Sequence, residues 1–168
     1  MAHNTGPGER TANRYLPGDT IPGMQPVTYH PIGVVESPFE APEDVPRPGS
    51  SPVEASGTIV LDEEYEAGLE GLDGFSHIIV LSHLHEVEDV RLQVRAMGER
   101  PVGIFAASGP PRPNPIGHSV LRLDGVDGTR LSVSNLDLID GTPVLDVKPY
   151  APKGPALDEI EIGWMADL

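Results

Sequence analysis

Ser119-Val120-Leu121-Arg122-Leu123-Asp124-Gly125-Val126-Asp127-Gly128-Thr129-Arg130-Leu131-Ser132-Val133-Ser134 alternates apolar and polar residues around two Asp-Gly pairs. Alternation of period two sends successive side chains to opposite faces of a strand. Asp-Gly pairs supply the backbone conformations that tight hairpin turns require. The stretch therefore predicts a hairpin, with turns at Asp124-Gly125 and Asp127-Gly128, and it sets an all-β expectation for the chain.

Working outward, further strands are predicted over Val27–Ser37, Gly57–Leu61, Gly74–Glu86 and Val102–Ala106, through Asn135–Ile139 into the segment ending at Tyr150, and at Ile160–Ile162 with Trp164. The Gly74–Glu86 run is nearly all apolar at its start and reads as a central strand buried on both sides. Pro31 and Gly33 mark a bulge or edge in the first strand. Asp62-Glu63-Glu64 supplies a cap and an acidic first turn for a short helix through Leu69, ended by Gly71. Val87–Arg100, with Val90, Val94 and Met97 on one stripe, is a short surface helix or a loop, on which Arg91 and Arg95 would be neighbours.

Nineteen glycines and nineteen prolines in 168 residues favour short strands and turns over long helices. The pieces add up to six to eight strands in a small closed or partly open β-barrel with one or two short helices. Residues 1–26 read as a flexible N-terminal arm and 27–168 as the barrel domain. A long loop follows the first strand and carries Arg47, a candidate contact for a phosphate or carboxylate.

With no cysteine, disulfides, thiolate metal sites and cysteine nucleophiles are excluded. No apolar run approaches membrane-spanning length and the N-terminus lacks a basic start before an apolar core, so no membrane partner and a cytoplasmic location are expected. Eleven Lys and Arg against 26 Asp and Glu give a formal net charge of −15. That balance argues against a nucleic-acid partner, unless a small basic site is kept within a generally acidic surface.

No dinucleotide fingerprint, P-loop or Gly-x-Ser-x-Gly elbow is present. His77, His83 and His85 share strand parity, but no fourth ligand accompanies them, and a ligand-pocket border is the preferred reading over a metal. Two stretches concentrate chemistry instead. Arg112-Pro113-Asn114-Pro115-Ile116-Gly117-His118-Ser119 has few accessible backbone states, so its polar groups can be held still. Asp140-Gly141-Thr142-Pro143-Val144-Leu145-Asp146-Val147-Lys148-Pro149-Tyr150 sets two carboxylates, a hydroxyl, a lysine and a tyrosine within eleven residues. Together they read as one site.

Those two blocks, with His30-Pro31-Ile32-Gly33, Ser37-Pro38-Phe39, Gly71-Leu72-Asp73-Gly74-Phe75-Ser76-His77 and Gly103-Ile104-Phe105-Ala106, resemble the TsaA-like, or TrmO, family over roughly Val27 to Pro152. The resemblance implies an S-adenosylmethionine-dependent methyltransferase acting on N6 of threonylcarbamoyl-adenosine beside the anticodon of transfer RNA. It also implies a small β-barrel working as a homodimer, with the cofactor near the subunit interface. Where the family reads Phe-Ala-Thr-Arg-Ser-Pro, this chain reads Phe105-Ala106-Ala107-Ser108-Gly109-Pro110, so a small-molecule methyl acceptor stands as the alternative substrate, and a non-catalytic ligand-binding barrel as a third reading. On this basis Asp140, Asp146, Lys148 and Tyr150 are the catalytic candidates, a carboxylate serving as base or orienter. His85, Arg112, Pro113, Asn114, Pro115, Ile116 and Gly117 are the cofactor candidates, with Arg112 suited to bidentate binding of a carboxylate or phosphate. Arg47 and Arg95 are the candidates for substrate contact.

Overall fold

The computed structural model describes residues 25–46, 55–96, 100–151 and 161–167. Its strands are β1 (Gly33–Glu36), β2 (Ser56–Leu61), β3 (His77–His83), β4 (Gln93–Arg95), β5 (Pro101–Gly103), β6 (Ile116–Asp127), β7 (Arg130–Ser134) and β8 (Pro143–Pro149). Six of them close an antiparallel barrel in the order β1-β2-β7-β6-β3-β8, and β4 and β5 form a separate two-stranded sheet. The all-β barrel expected from the sequence is the fold observed.

The β6–β7 hairpin follows its alternation. Leu121, Leu123, Leu131 and Val133 are buried, while Arg122, Asp124, Arg130 and Ser132 are exposed. The chain reverses at Gly128-Thr129, with Gly128 at φ 56 and Asp127 paired to Arg130. Gly at the first central position is the usual choice for a two-residue hairpin turn of this hand. Asp124-Gly125 is a bulge rather than a turn: the register with β7 shifts between Leu123 and Gly125, and β6 runs on. The extra residue is absorbed within a long strand, with a local increase in twist.

The interior is filled by Val35, Ile59, Ile78, Val80, Leu121, Leu131, Val133, Leu136 and Val144. β3 is not buried on both faces. Ile78, Val80 and Ser82 point inward, and His77, Ile79 and Leu81 are only half-buried on the outer face. An antiparallel sheet with one face on a core tolerates such a mixed outer row.

Several elements differ from the sequence reading. β1 begins at Gly33 rather than Val27, because Pro31 has no N–H to give a ladder. The segment Glu63–Leu69 is a 3-10 helix, capped as expected by the Asp62 side chain accepting from the Glu64 N–H at 3.2 Å. Only Leu69 of this segment is buried, so no apolar stripe at α-helical spacing fixes the wider period. Gly163–Asp167 is likewise 3-10 where a last strand was expected, and Ile160 lies outside the described residues. Pro101 ends any helix over 87–100, and Val94 serves a strand instead. Gln93–Arg95 pairs antiparallel with Pro101–Gly103, and the Ala96 N–H donates to Arg100 O at 2.9 Å. Residues 97–99, with Met97, are not described, nor are residues 1–24 of the expected arm.

Two compact units result: Val27–Glu86 with Pro115–Leu168 holds the barrel, and Val87–Asn114 belongs to the second.

Candidate functional site

β8 carries the densest chemistry, and a bulge decides where it points. Val144 faces the core opposite Ser82, yet Asp146 pairs with Leu81, so Leu145 is an extra residue in the ladder. Without that residue, strand parity would turn Asp146 and Lys148 inward with Val144. With it, Val147 packs against the core while Asp146 and Lys148 join Leu81 and Ile79 on the outer face. The Lys148 Nζ donates to Asp146 Oδ2, a lateral pair at i, i+2 on one face.

Tyr150 closes the row. Its N–H donates to His77 O at 3.0 Å, and its ring meets that of His77 edge-on, with centroids 6.5 Å apart and planes at 66°. His77 Nδ1 is 2.9 Å from Ser76 Oγ. Three of the four catalytic candidates, Asp146, Lys148 and Tyr150, thus share one face, with His77 beside them.

Asp140 stands apart, before the start of β8. Its Oδ1 accepts the Ser37 N–H at 2.9 Å, and its own N–H donates to Phe39 O at 2.7 Å. Gly141, at φ 73, donates to Val35 O at 2.9 Å, and the buried Thr142 Oγ1 donates to Ile139 O at 2.7 Å. Asp140-Gly141-Thr142 is thereby a clasp joining the end of β1 to the start of β8.

The Arg112 motif is divided. In the Val87–Asn114 unit, Arg112 Nη1 donates to Ala107 O at 2.7 Å, with Ile104 O at 3.3 Å and Gly109 O at 3.4 Å. Its guanidinium carbon lies 6.0 Å from the centroid of the Phe105 ring. The arginine folds its own loop around one nitrogen. Because the main acceptor is the backbone carbonyl of residue 107, alanine serves there as well as threonine would.

In the barrel unit, Pro115 O accepts the Leu84 N–H at 2.8 Å, fixing the entry to β6. Gly117 is buried, and a Cβ there would lie 2.4 Å from Ser82 Oγ and 3.0 Å from Leu84 Cδ2. Ser82 Oγ is a buried hydroxyl with no hydrogen-bond partner in the structure. Glycine at 117 is therefore a packing requirement of the barrel. Ile116 is on the outer face, exposed with Val120.

Past the end of β3, His85 Nε2 is 3.6 Å from Glu86 Oε1. Arg95 is on β4 opposite Pro101, and Arg47 lies outside the described residues. Among the described residues no three His, Cys, Asp or Glu side chains are grouped to hold a metal.

A cleft of about 450 Å³ in the barrel unit was not foreseen in the sequence. Its walls include Leu72, Phe75, Val147 and Tyr65, with the carboxylates of Glu64, Glu70 and Asp146. The charge of Glu64, foremost, holds the Tyr65 phenol above its ordinary value, with burial, a hydrogen bond to Glu64 and Asp62 adding to it. The sequence signal for these walls was weak, since 62–75 read as a helix and a turn.

Residues 34–155 match the sequence profile described as the tRNA-methyltransferase O N-terminal domain. The S-adenosyl-L-methionine-binding protein of Archaeoglobus fulgidus is 39% identical over 132 residues, which is 78% of this chain and 94% of that protein. The tRNA (adenine(37)-N6)-methyltransferase of Escherichia coli strain K12 is 35% identical over 153 residues, 84% of this chain and 65% of that enzyme. The crystal structure of TrmO from Pseudomonas aeruginosa superimposes with a TM-score of 0.71 at 36% identity, covering 86% of this chain and 64% of that one. The chain thus spans just under two thirds of the length of the last two.

Proposed function

Since the chain belongs to the tRNA-methyltransferase O family, we propose that it is an S-adenosylmethionine-dependent methyltransferase acting on N6 of threonylcarbamoyl-adenosine beside the anticodon of transfer RNA. The observation that carries this reading is the outer row of Asp146, Lys148 and Tyr150, aimed by the bulge at Leu145. Support also comes from the Escherichia coli relative, whose name states the same reaction class.

The donor set suits the cofactor. S-adenosylmethionine presents a cationic sulfonium, an ammonium, a carboxylate and a flat adenine. Asp146 borders the cleft, where Phe75 and Tyr65 offer rings and Glu64 and Glu70 offer negative charge. When bound, the cofactor supplies an electrophilic methyl group. The chain's task is alignment, exclusion of water and removal of a proton from the acceptor nitrogen.

Within this reading, Lys148 and Tyr150 position the acylated adenine and Asp146 orients Lys148. Asp140 acts at a distance by fixing the β1–β8 junction. The backbone of Pro113 to Gly117 and His85 contribute to the cofactor, with Arg112 shaping the loop, and Arg47 and Arg95 contact the nucleic acid. The exposed Ile116 and Val120, on the outer face of β6, support a homodimer. No helix among the described residues is long and apolar enough to cross a membrane, and the cytoplasm is the proposed location because the substrate is there.

The deciding experiment is methylation of transfer RNA that carries threonylcarbamoyl-adenosine, with the nucleosides resolved by mass spectrometry. A 14-dalton gain on that nucleoside is the expected product of one methyl transfer, as an order of magnitude about one turnover per second or slower. Cofactor binding in calorimetry with no product on any transfer RNA would favour a small-molecule acceptor instead. For the assembly, Val120→Glu is expected to convert a dimer to a monomer in light scattering. A wild-type protein already monomeric at about 100 times typical assay concentration would end the dimer reading.

A further inference from the structure

We propose that His77 is the residue that takes the proton from the acceptor nitrogen. The inference rests on the methyltransferase reading and adds a residue that the sequence had assigned only to a possible metal set or a pocket border. It begins from elimination among the neighbours. Asp146 shares its carboxylate with the Lys148 ammonium. An ammonium and a phenol keep their protons at neutral pH, whereas an imidazole is the side chain that changes charge between about pH 5 and 8. The outer row therefore has donors in Lys148 and Tyr150 and needs an acceptor.

His77 is placed to be that acceptor. The backbone bond from Tyr150 N to His77 O, 3.0 Å, locks the two residues side by side, and their rings are in edge contact at 6.5 Å. The imidazole is half-buried, so water is thinned around it without closing it off. Ser76 Oγ at 2.9 Å from Nδ1 holds the ring's orientation. With the Nδ1–H donating to that oxygen, Nε2 keeps its lone pair, and among the described residues nothing hydrogen-bonds to Nε2.

The groups facing His77 are few. Tyr150 approaches from β8 and Ser76 precedes it on the chain. Arg122 is its register partner on β6, and Arg122 Nε is itself 3.1 Å from Asp124 Oδ1. Lys148, paired with Asp146, lies two residues before Tyr150 on the same row.

The step balances simply. The acceptor nitrogen forms a bond to the sulfonium methyl carbon, the carbon–sulfur bond breaks with its electron pair passing to sulfur, and the N–H proton moves to Nε2. The imidazolium then returns the proton to solvent. Proton removal by a placed base contributes about 10²- to 10⁴-fold to a rate.

The test compares wild type, His77→Gln and Ser76→Ala in three measurements: the pH profile of kcat/KM on transfer RNA, cofactor affinity by calorimetry, and the histidine tautomer by nitrogen-15 NMR. Expected are a loss of about 100-fold or more in kcat for His77→Gln, a cofactor Kd within twofold, and disappearance of the acid limb of the profile. The NMR spectrum of wild type should place the proton of the neutral ring on Nδ1, and Ser76→Ala should shift it toward Nε2 with a smaller loss in kcat. An Nε2–H tautomer in wild type, or an acid limb that persists in an active His77→Gln, overturns the proposal. If wild type methylates transfer RNA and His77→Gln does so equally well, His77 alone fails. If wild type transfers no methyl group, the methyltransferase reading falls with it.

Discussion

Asp140 and Asp146 belong to one short segment and look equivalent in sequence, but their surroundings give them different work. Asp140 accepts a backbone N–H from Ser37, and Asp146 meets Lys148 on the outer face of β8. Asp140→Ala is accordingly expected to lower stability by about 1 kcal/mol, the usual net worth of one such bond, with kcat within about twofold of wild type. Asp146→Asn and Tyr150→Phe should each lower kcat by about tenfold to 100-fold, ~1.4 to 2.7 kcal/mol of transition-state stabilisation, while changing cofactor affinity far less. Thermal melts beside single-turnover kinetics separate the two classes. An Asp140→Ala protein that melts normally but does not turn over would move Asp140 back among the catalytic groups. Arg112 teaches the same lesson. Its residue type suggested an anion fork, and the structure finds one nitrogen already committed to loop carbonyls. Arg112→Ala should weaken cofactor binding by loosening the loop, and Arg112→Lys, whose ammonium carries three donors on one nitrogen, should restore part of it.

At the level of elements, the hairpin at β6–β7 was legible because alternation and turn chemistry agree there. The barrel followed from counting strands. What the sequence could not show was the bulge at Leu145, since a bulge leaves no composition signal and only cross-strand register reveals it. That one residue decides which face Asp146 and Lys148 occupy, so candidates could be named from the sequence and their geometry could not. Gly117 has a packing role that its residue type did not announce: in a motif rich in ligand-binding residue types, its missing Cβ answers to Ser82 and Leu84. Gly117→Ala should destabilise the barrel by about 1 to 3 kcal/mol through overpacking, read as a lower midpoint in denaturant, and Gly117→Ala with Ser82→Gly should recover part of it. Equal midpoints for wild type and Gly117→Ala would show that β6 can shift to accept a methyl group. The Glu63–Leu69 turn has its own signature in pH. Glu64, first among the causes, raises the Tyr65 phenol above its ordinary value. A raised value in the folded state contributes stability that is present below the unfolded value and is lost as pH climbs through the folded one. In an absorbance titration Tyr65 should therefore ionise late among the four tyrosines, and Glu64→Gln should bring it earlier. No change between Glu64→Gln and wild type would remove Glu64 as the cause.

For the molecule as a whole, charge sets the hardest constraint on how an RNA could be held. A chain with a formal charge of −15 and only eleven Lys and Arg repels a polyanion at long range. Several of its cations are also already engaged: Arg130 with Glu36, Arg122 with Asp124, Lys148 with Asp146, and Arg112 with its loop carbonyls. Cations paired in this way leave few counterions to be released from RNA. The dependence of affinity on salt should then be shallow, with a slope of log K against log salt no steeper than about −3, where each phosphate contact adds roughly 0.7 to 0.9. Association should also fail to accelerate at low salt, because screening relieves the net repulsion as it weakens the local contacts. The same acidity predicts that adding salt up to about 0.5 M stabilises the fold by screening like charges. Binding of transfer RNA measured by filter retention between 50 and 200 mM salt, as representative of the range in which phosphate contacts are counted, checks the first point. A slope near −6 would require a cationic surface that the observed ion pairs do not leave, and would place that surface in the residues around Arg47 or on the face of a second copy.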